Sequence, residues 1–516
     1  MTPTGRARIE QEVVDTSVLV GTGLKGISAV LGVTERGVIG EAVLVGSWNE
    51  YVRHFGGLLP KEVSNFPLYC KRALERGGKL RVARVGHYTD VTDKTTLVGT
   101  AASKKIENNG KEIKFQANSV GAWGNKVTVK VTPARNGATD QFDFEISMAG
   151  YPDLTQVIPN LNKVLTVEDI ATFNLQSLFV VLSSTGADVT AGSYTLAGGA
   201  FDESTIVDTD YIGDVTASNG IHTFDNYNDF VKIAIPDQAK PALDDALIAY
   251  VENRRDCRAV LRTPIGISGT TAMTYRDRTG SFSGVAPSTW YADLFFGGLY
   301  ITHPKTGERV HISAIGDILG AMSQRDDKAS EWYAVAGSKR GRIKNVLGVD
   351  YNLGSAARAT EFDQVSNRGI NAVIDDPDFG VVIWDNVTLW KEPTLLKHSN
   401  IADLLVYLNR ELAPLIKSEL FEPNDIETWK AIYRKVRPLL ESVKERRGIW
   451  DYLYQGDQLI DDISEAQVNT TNNIDAGRYV FNLFIKPKAA LKYIGIKVVV
   501  ANSGVSFEEL IQEGSI

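Results

Sequence analysis

With 516 residues the chain exceeds what one hydrophobic core usually serves, so roughly two to four domains are expected. Apolar content of 43% and charged content of 23% exclude general disorder, and 63 acidic residues against 55 Lys and Arg argue against a nucleic-acid binder, which needs a basic surplus to neutralise phosphates. Two cysteines, Cys70 and Cys257, cannot make a disulfide framework and read as small buried residues of a protein made in a reducing cytoplasm.

Residues 1–20 read as an arm. Arg6, Arg8 and Glu10 alternate with Ala7, Ile9 and Gln11, the period of two that suits a strand with one buried face. No neighbouring segment offers a hairpin partner, so the pairing is long-range or intermolecular. Arg6, Arg8, Glu10 and Glu12 also interrupt any signal core, and apolar runs such as Leu178 to Leu182 or Val381 to Trp384 are far short of the ~20 residues of a membrane helix. A soluble, unsecreted chain with no membrane insertion is expected.

Gly21-Thr22-Gly23-Leu24-Lys25-Gly26 matches G-x-G-x-x-G, the pattern of a dinucleotide site in an NAD-type oxidoreductase. Such a site needs a helix to open there with its N-terminus facing the pyrophosphate. The next residues place Gly32, Gly37 and Gly40 among β-branched neighbours, a poor helix. A glycine hinge between arm and body is the better account. The oxidoreductase stays as the alternative of another class.

From 27 to 88 the pattern is α/β. Strand-like Ile27 to Val33 and Val43 to Val45 precede a helix capped by Ser47, with Glu50 three residues on. A second helix over about 65–76 ends at Gly77-Gly78, ahead of the strand Leu80 to Val85. Over 89–205 helical periodicity fades into alternating stretches at Lys126 to Thr132, Phe142 to Ser147 and Phe179 to Leu182. Asn108-Asn109-Gly110 and Asn136-Gly137 supply hairpin turns. This segment reads as an inserted, mostly β domain.

Residues 206–364 return to α/β, with Leu243, Leu247, Tyr250 and Val251 on one stripe of a helix over 239–254 and a strand at Arg258 to Leu261. The last domain is expected over 365–516. It holds a strand at Gly380 to Trp384, a helix from Asn400 to Glu419, and a helix opening at Asn424 with Glu427 as a capping box and Gly448 past its end. Ile426, Trp429, Ile432, Tyr433, Val436, Leu439, Leu440 and Val443 make its apolar stripe. Its other face is basic: Lys430, Arg434, Lys435, Arg437, Lys444, Arg446 and Arg447. Strands at Arg478 to Lys486 and Tyr493 to Ala501 follow, with no further chain to cover them.

Catalytic signatures are missing. Gly337-Ser338-Lys339-Arg340-Gly341 lacks Walker spacing, and Gly-x-Ser-x-Gly does not occur. His303 and His311 are separated by Pro304 and Gly307, which suits satisfied histidines better than a shared metal. Asp375, Asp376 and Asp378 resemble half a calcium loop, but Pro377 and the missing distal Glu favour an acidic turn. Trp123 in Gly121-Ala122-Trp123-Gly124-Asn125 packs over a tight turn more readily than it anchors a sugar or base. No enzyme activity, cofactor or metal is expected.

Several segments, in order, resemble the contractile tail sheath proteins of bacteriophages. They are FGGLLP (55–60) with FPLYCKRALERGGKLRVARV (66–85), ANSVGAWGN (117–125), FDQVSNRGINAVIDDPDFGVVIWDNVTLW (362–390), FEPND (421–425) with Trp429, and YVFNLFIKPKAALKYIGIKVVV (479–500). One departure stands out: Trp384-Asp385-Asn386-Val387-Thr388 replaces the family's Trp-Gly-x-Arg-Thr. The resemblance implies a multidomain α/β (α+β) fold, with α/β middle (21–88 and 206–364) and inner C-terminal (365–516) domains, an outward-facing β insert (89–205) and strand-exchanging arms. It implies six-membered rings of the chain wound helically around a tail tube protein, capped by baseplate and tail terminator proteins, in a virion assembled in the host cytoplasm. A phage-derived bacteriocin or secretion device would use a similar sheath. Strand exchange between copies is expected through Ala7, Ile9, Val13, Ile494, Ile496, Val498 and Val500. The basic helix face is expected to hold the tube.

Overall fold

Ile27–Gly32 is buried at every position, the signature of a central strand covered on both faces. In the computed structural model it lies within an eight-stranded sheet. The order is Gly380–Ile383, Ile370–Asp376, Ala292–Phe296, Arg258–Arg262, Lys232–Ala234, Ile27–Gly32, Lys79–Arg84, Ala42–Val45. Inner pairs run parallel, and the two outermost pairs are antiparallel. Residues 25–108, 110–355, 358–456, 469 and 474–492 are described; the expected arm at 1–20 and the expected strand Tyr493 to Ala501, with Ala7, Ile9, Val13, Ile494, Ile496, Val498 and Val500, lie outside them.

Strand alternation splits the body into two cores. Ile27, Ala29 and Leu31 face the helices Pro241–Arg254, Gly269–Asp277 and Ala359–Asn367. Val30, Val82 and Val260 face Trp48–Phe55, Phe66–Glu75 and Ile315–Lys328. The division expected at residue 365 runs through this sheet, because Ile370–Asp376 pairs in parallel with Ala292–Phe296. A parallel partner is distant in sequence, so no local pattern announces it.

The helix Ile315–Lys328 is absent from the sequence reading. Gly316 and Gly320 interrupt its pattern, yet they are the contact: a Cβ on Gly316 would lie 2.5 Å from the Tyr69 carbonyl oxygen, and one on Gly320 would lie 2.8 Å from that of Ala73.

Between residues 100 and 200 the described strands make two further sheets. One joins Ser103–Asn108, Lys111–Ala117 and Val180–Ser184; the other joins Gly192–Thr195, Val127–Pro133, Gln141–Met148 and Gln156–Asn162. They share a core with Phe115, Phe144 and Phe173 at its centre. Trp123 is buried there and donates to the Val120 carbonyl at 3.2 Å. Gly121, at φ +133°, leaves its ring room.

The chain then forms the helices Ser399–Lys417 and Ile426–Glu445 and a two-stranded ribbon, Ile449–Gln455 against Asn482–Pro487. Leu404, Leu408, Val436, Leu440 and Ile449 make a core of their own, which Trp332 joins from the body.

Candidate assembly interface

The helix Ile426–Glu445 buries Trp429, Ile432, Val436, Leu440 and Val443, a single stripe at helical spacing. Its N-cap is Asp425, which accepts from the Thr428 N–H at 3.0 Å. Asn424, the expected cap, instead accepts from Trp429 Nε1 at 2.8 Å and donates to the carbonyls of Ile474 and Arg478. At the other end Arg447 takes the left-handed conformation (φ +65°). Gly448 is there for closeness: a Cβ would lie 2.7 Å from Val443 Cγ1.

The seven basic residues of this region divide. Arg446 belongs to the interior joint, where it donates to the Ala329 carbonyl at 2.8 Å and lies 5.2 Å over the Trp332 ring. Lys435 pairs with Glu419 and donates to Ser418 Oγ, and Lys444 pairs with Asp451 at 2.8 Å. Lys430 reaches Glu427 only at 3.4 Å. Arg434, Arg437 and Arg447 are exposed and make no ion pair with a described residue. On the helix itself the available charge is therefore a stripe of Lys430, Arg434 and Arg437, spaced four and three residues apart along one side, with Arg447 beyond its end.

The expected strand at 478–486 is Asn482–Pro487, and it is not uncovered: one edge pairs with Ile449–Gln455, a strand the sequence reading did not contain. The other edge of each ribbon strand has no strand partner among the described residues. Leu453 and Phe484 sit opposite each other on the solvent side, more than half exposed, with Trp450 nearby under Lys488. The turn between the helices presents Leu420 and Phe421, the latter fully exposed.

An ionic anchor ties this unit to the body. Asp403, in the second turn of Ser399–Lys417, accepts from Lys232, Arg258 and Arg325; the Arg325 bond is 2.7 Å. Ser399 Oγ donates to Asp293, which also holds Arg258. These side chains are all buried. Burial alone would raise the Asp403 carboxyl, but the three cations hold it far below the ordinary carboxylate range. Sequence reasoning missed this cluster. Its trace is a lone acid inside Ile401-Ala402-Asp403-Leu404 and cations heading the buried strands Lys232–Ala234 and Arg258–Arg262.

Other singled-out motifs have ordinary roles. A strand, not a helix, follows Gly26, which removes the dinucleotide reading. His303 Nδ1 accepts from the N–H groups of Lys305 and Thr306, and His311 pairs with Asp350 at 2.9 Å. Asp376 closes a turn by accepting from the N–H groups of Asp378 and Phe379. Among the described residues no acid, His or Cys cluster suits a metal, and no helix is long and apolar enough to cross a membrane.

This multidomain α+β architecture is the fold of contractile sheath proteins. A sheath tail protein from Listeria innocua matches it with a TM-score of 0.59 at 14% identity, over 90% of this chain and 96% of that one. The helical sheath of the anti-feeding prophage in its contracted state matches at 0.54 and 12% identity, over 97% and 99% of the two chains. In sequence the chain is similar to tail sheath proteins of phages: it is 25% identical to that of Enterobacteria phage T4 over 334 residues, 63% of this chain and 47% of the relative. The chain thus spans about half the length of this curated relative, or less in others. No family model matches the chain.

Proposed function

We propose that this chain is the structural subunit of a contractile phage tail sheath. It polymerises in six-membered rings wound helically around a tail tube, between a baseplate and a terminator, and shortens to drive the tube through a bacterial envelope for genome delivery. The observation that carries the reading is the ribbon. A two-stranded ribbon with an apolar outer pair, whose outer edges have no strand partner among the described residues, is a template for added strands. Arms from neighbouring copies, through Ala7, Ile9 and Val13 at one tip and Ile494, Ile496, Val498 and Val500 at the other, would complete it by β-augmentation. Each arm adds on the order of five main-chain hydrogen bonds at ~0.5–1.5 kcal/mol net.

Such a mesh stays threaded while the bodies slide, so surface buried between bodies on contraction supplies the work without a nucleotide. The phage reading stands ahead of a bacteriocin or secretion device because the sequence relatives are phage tail sheaths. Deleting residues 1–18 tests it. The expected product is a folded monomer, with unchanged circular dichroism, that fails to form tubes by negative-stain electron microscopy. Normal tubes from the deletion variant would refute the arm assignment.

A further inference from the structure

A cavity of about 470 Å³ opens on the body, between the C-terminal end of the helix Phe66–Glu75, the helix Ile315–Lys328 and the 338–345 segment. Its walls carry six cations and two carboxylates. Both carboxylates are already engaged: Arg72 grips Asp317 through two bonds of 2.6 and 2.9 Å, and Lys71 pairs with Glu75. Arg76 uses only Nη2, on the Arg340 carbonyl, and Arg340 uses only Nε, on the Ala334 carbonyl. The side chains of Lys339, Arg342 and Lys344 make no hydrogen bond or ion pair with a described residue.

The backbone that carries these charges is held in place. Arg72 ties down the wall by donating to the Lys344 carbonyl at 3.1 Å. The same segment is bonded to the sheet edge, from Gly337 N–H to the Ile383 carbonyl and from Ile343 N–H to the Val381 carbonyl, each at 2.8 Å. Burial disfavours the charged form of Arg76 and Arg340, a cost that a bound anion offsets. Arg76 and Arg340, each anchored by one bond and with donors left open, match the paired oxygens of phosphate or carboxylate.

We propose that this cavity is a binding site for a multiply charged oxyanion, held by Arg76, Arg340 and Arg342 with Lys339 and Lys344 beside them. Two sources share that chemistry. One is a free phosphate-class solute. The other is the carboxylates of a second copy, since the sequence after Lys497 holds Glu508, Glu509 and Glu513 and no cation. The inference stands independently of the sheath reading.

Calorimetric titration of the full chain with inorganic pyrophosphate, and separately with a peptide of residues 504–516, tests it. One-to-one saturable binding of at least one probe is expected. The peptide alone binding identifies a second copy as the source; pyrophosphate alone identifies a solute. Replacing the exposed Arg342 and Lys344 together by Glu weakens binding about tenfold or more, while Lys104→Glu, on the β insert, leaves it unchanged. No saturable binding of either probe overturns the proposal, and so does undiminished binding in the Arg342→Glu, Lys344→Glu protein.

Discussion

Replacing Asp403 with Asn would leave Lys232, Arg258 and Arg325 buried with one fewer negative charge among them, while changing side-chain volume hardly at all. Removing one partner of a buried ionic cluster costs about 3–5 kcal/mol, because the remaining charges cannot rehydrate. The loss should fall on the joint between the C-terminal unit and the body, since Asp403 belongs to the helix and its cations to two strands and a helix of the body. A lower thermal midpoint and faster amide exchange across 399–417 are expected in Asp403→Asn. The pH dependence has a definite sign. A carboxyl held below its unfolded value contributes stability above the ordinary carboxylate range and loses it only as pH falls through its own depressed value. The gap between wild type and Asp403→Asn should therefore not shrink as pH falls from about 8 to 5; the Glu331 carboxyl, lifted to about 7 by burial and by neighbouring acids that include Asp403, titrates in that window and only widens it. A gap that closes on moving from pH 8 to pH 5 would show that Asp403 is not held as an anion.

At the scale of elements, the basic helix gives the sharpest test of a proposed tube contact. Arg434 and Arg437 are exposed and unpaired among the described residues, so converting both to Glu should change stability by no more than about 0.5 kcal/mol. Growth of sheath on purified tubes, followed by sedimentation, should fall markedly. Lys435→Glu should behave differently, lowering the melting temperature by breaking the pair with Glu419 that ties this helix to the turn preceding it. Unchanged growth in the Arg434→Glu, Arg437→Glu protein would make that face a solvated one. The helix itself was legible in sequence because its apolar stripe is unbroken, and the Ser47 cap was legible because Ser47 Oγ does accept from the Glu50 N–H. Other features were not. Adjacent Asn424 and Asp425 are both competent caps, and the choice is made by the Trp429 indole, which occupies Asn424. The helix Ile315–Lys328 hides because the glycines that let it approach Tyr69 and Ala73 also erase its periodicity. Strand Ile449–Gln455 carries Tyr454 toward the core and Leu453 toward solvent, so its alternation of aromatic and apolar residues gives no inside or outside. The Asp403 cluster is assembled from five separated segments, and no spacing rule connects them.

For the molecule as a whole, the question is whether the β insert takes part in assembly or is carried by it. Its two ends meet: Thr100 and Ala200 exchange main-chain hydrogen bonds of 2.7 and 3.0 Å, and Ser103 and Ala197 exchange a second pair. Its core is built from its own residues. Two arginines of the body reach into the joint. Arg84 donates to the carbonyls of Gly37 and Val120, with Nε and Nη2 unsatisfied, and burial pushes it down to about 10. Arg36 lies 4.7 Å from the Tyr151 ring and 5.1 Å from that of Phe179. Removing the insert would return both guanidinium groups to water, which favours their charged form and compensates in part for the lost packing. Replacing residues 101–199 by Asn-Gly keeps the Thr100–Ala200 pair and closes this hydrogen-bonded pair directly with a turn suited to a two-residue hairpin. The expected product folds, retains the melting behaviour of the body and still forms tubes, now of smaller outer diameter by electron microscopy. Folded protein that no longer forms tubes would place the insert among the contacts between copies, and loss of the fold would show that the joint at Arg36 and Arg84 is part of the body's stability.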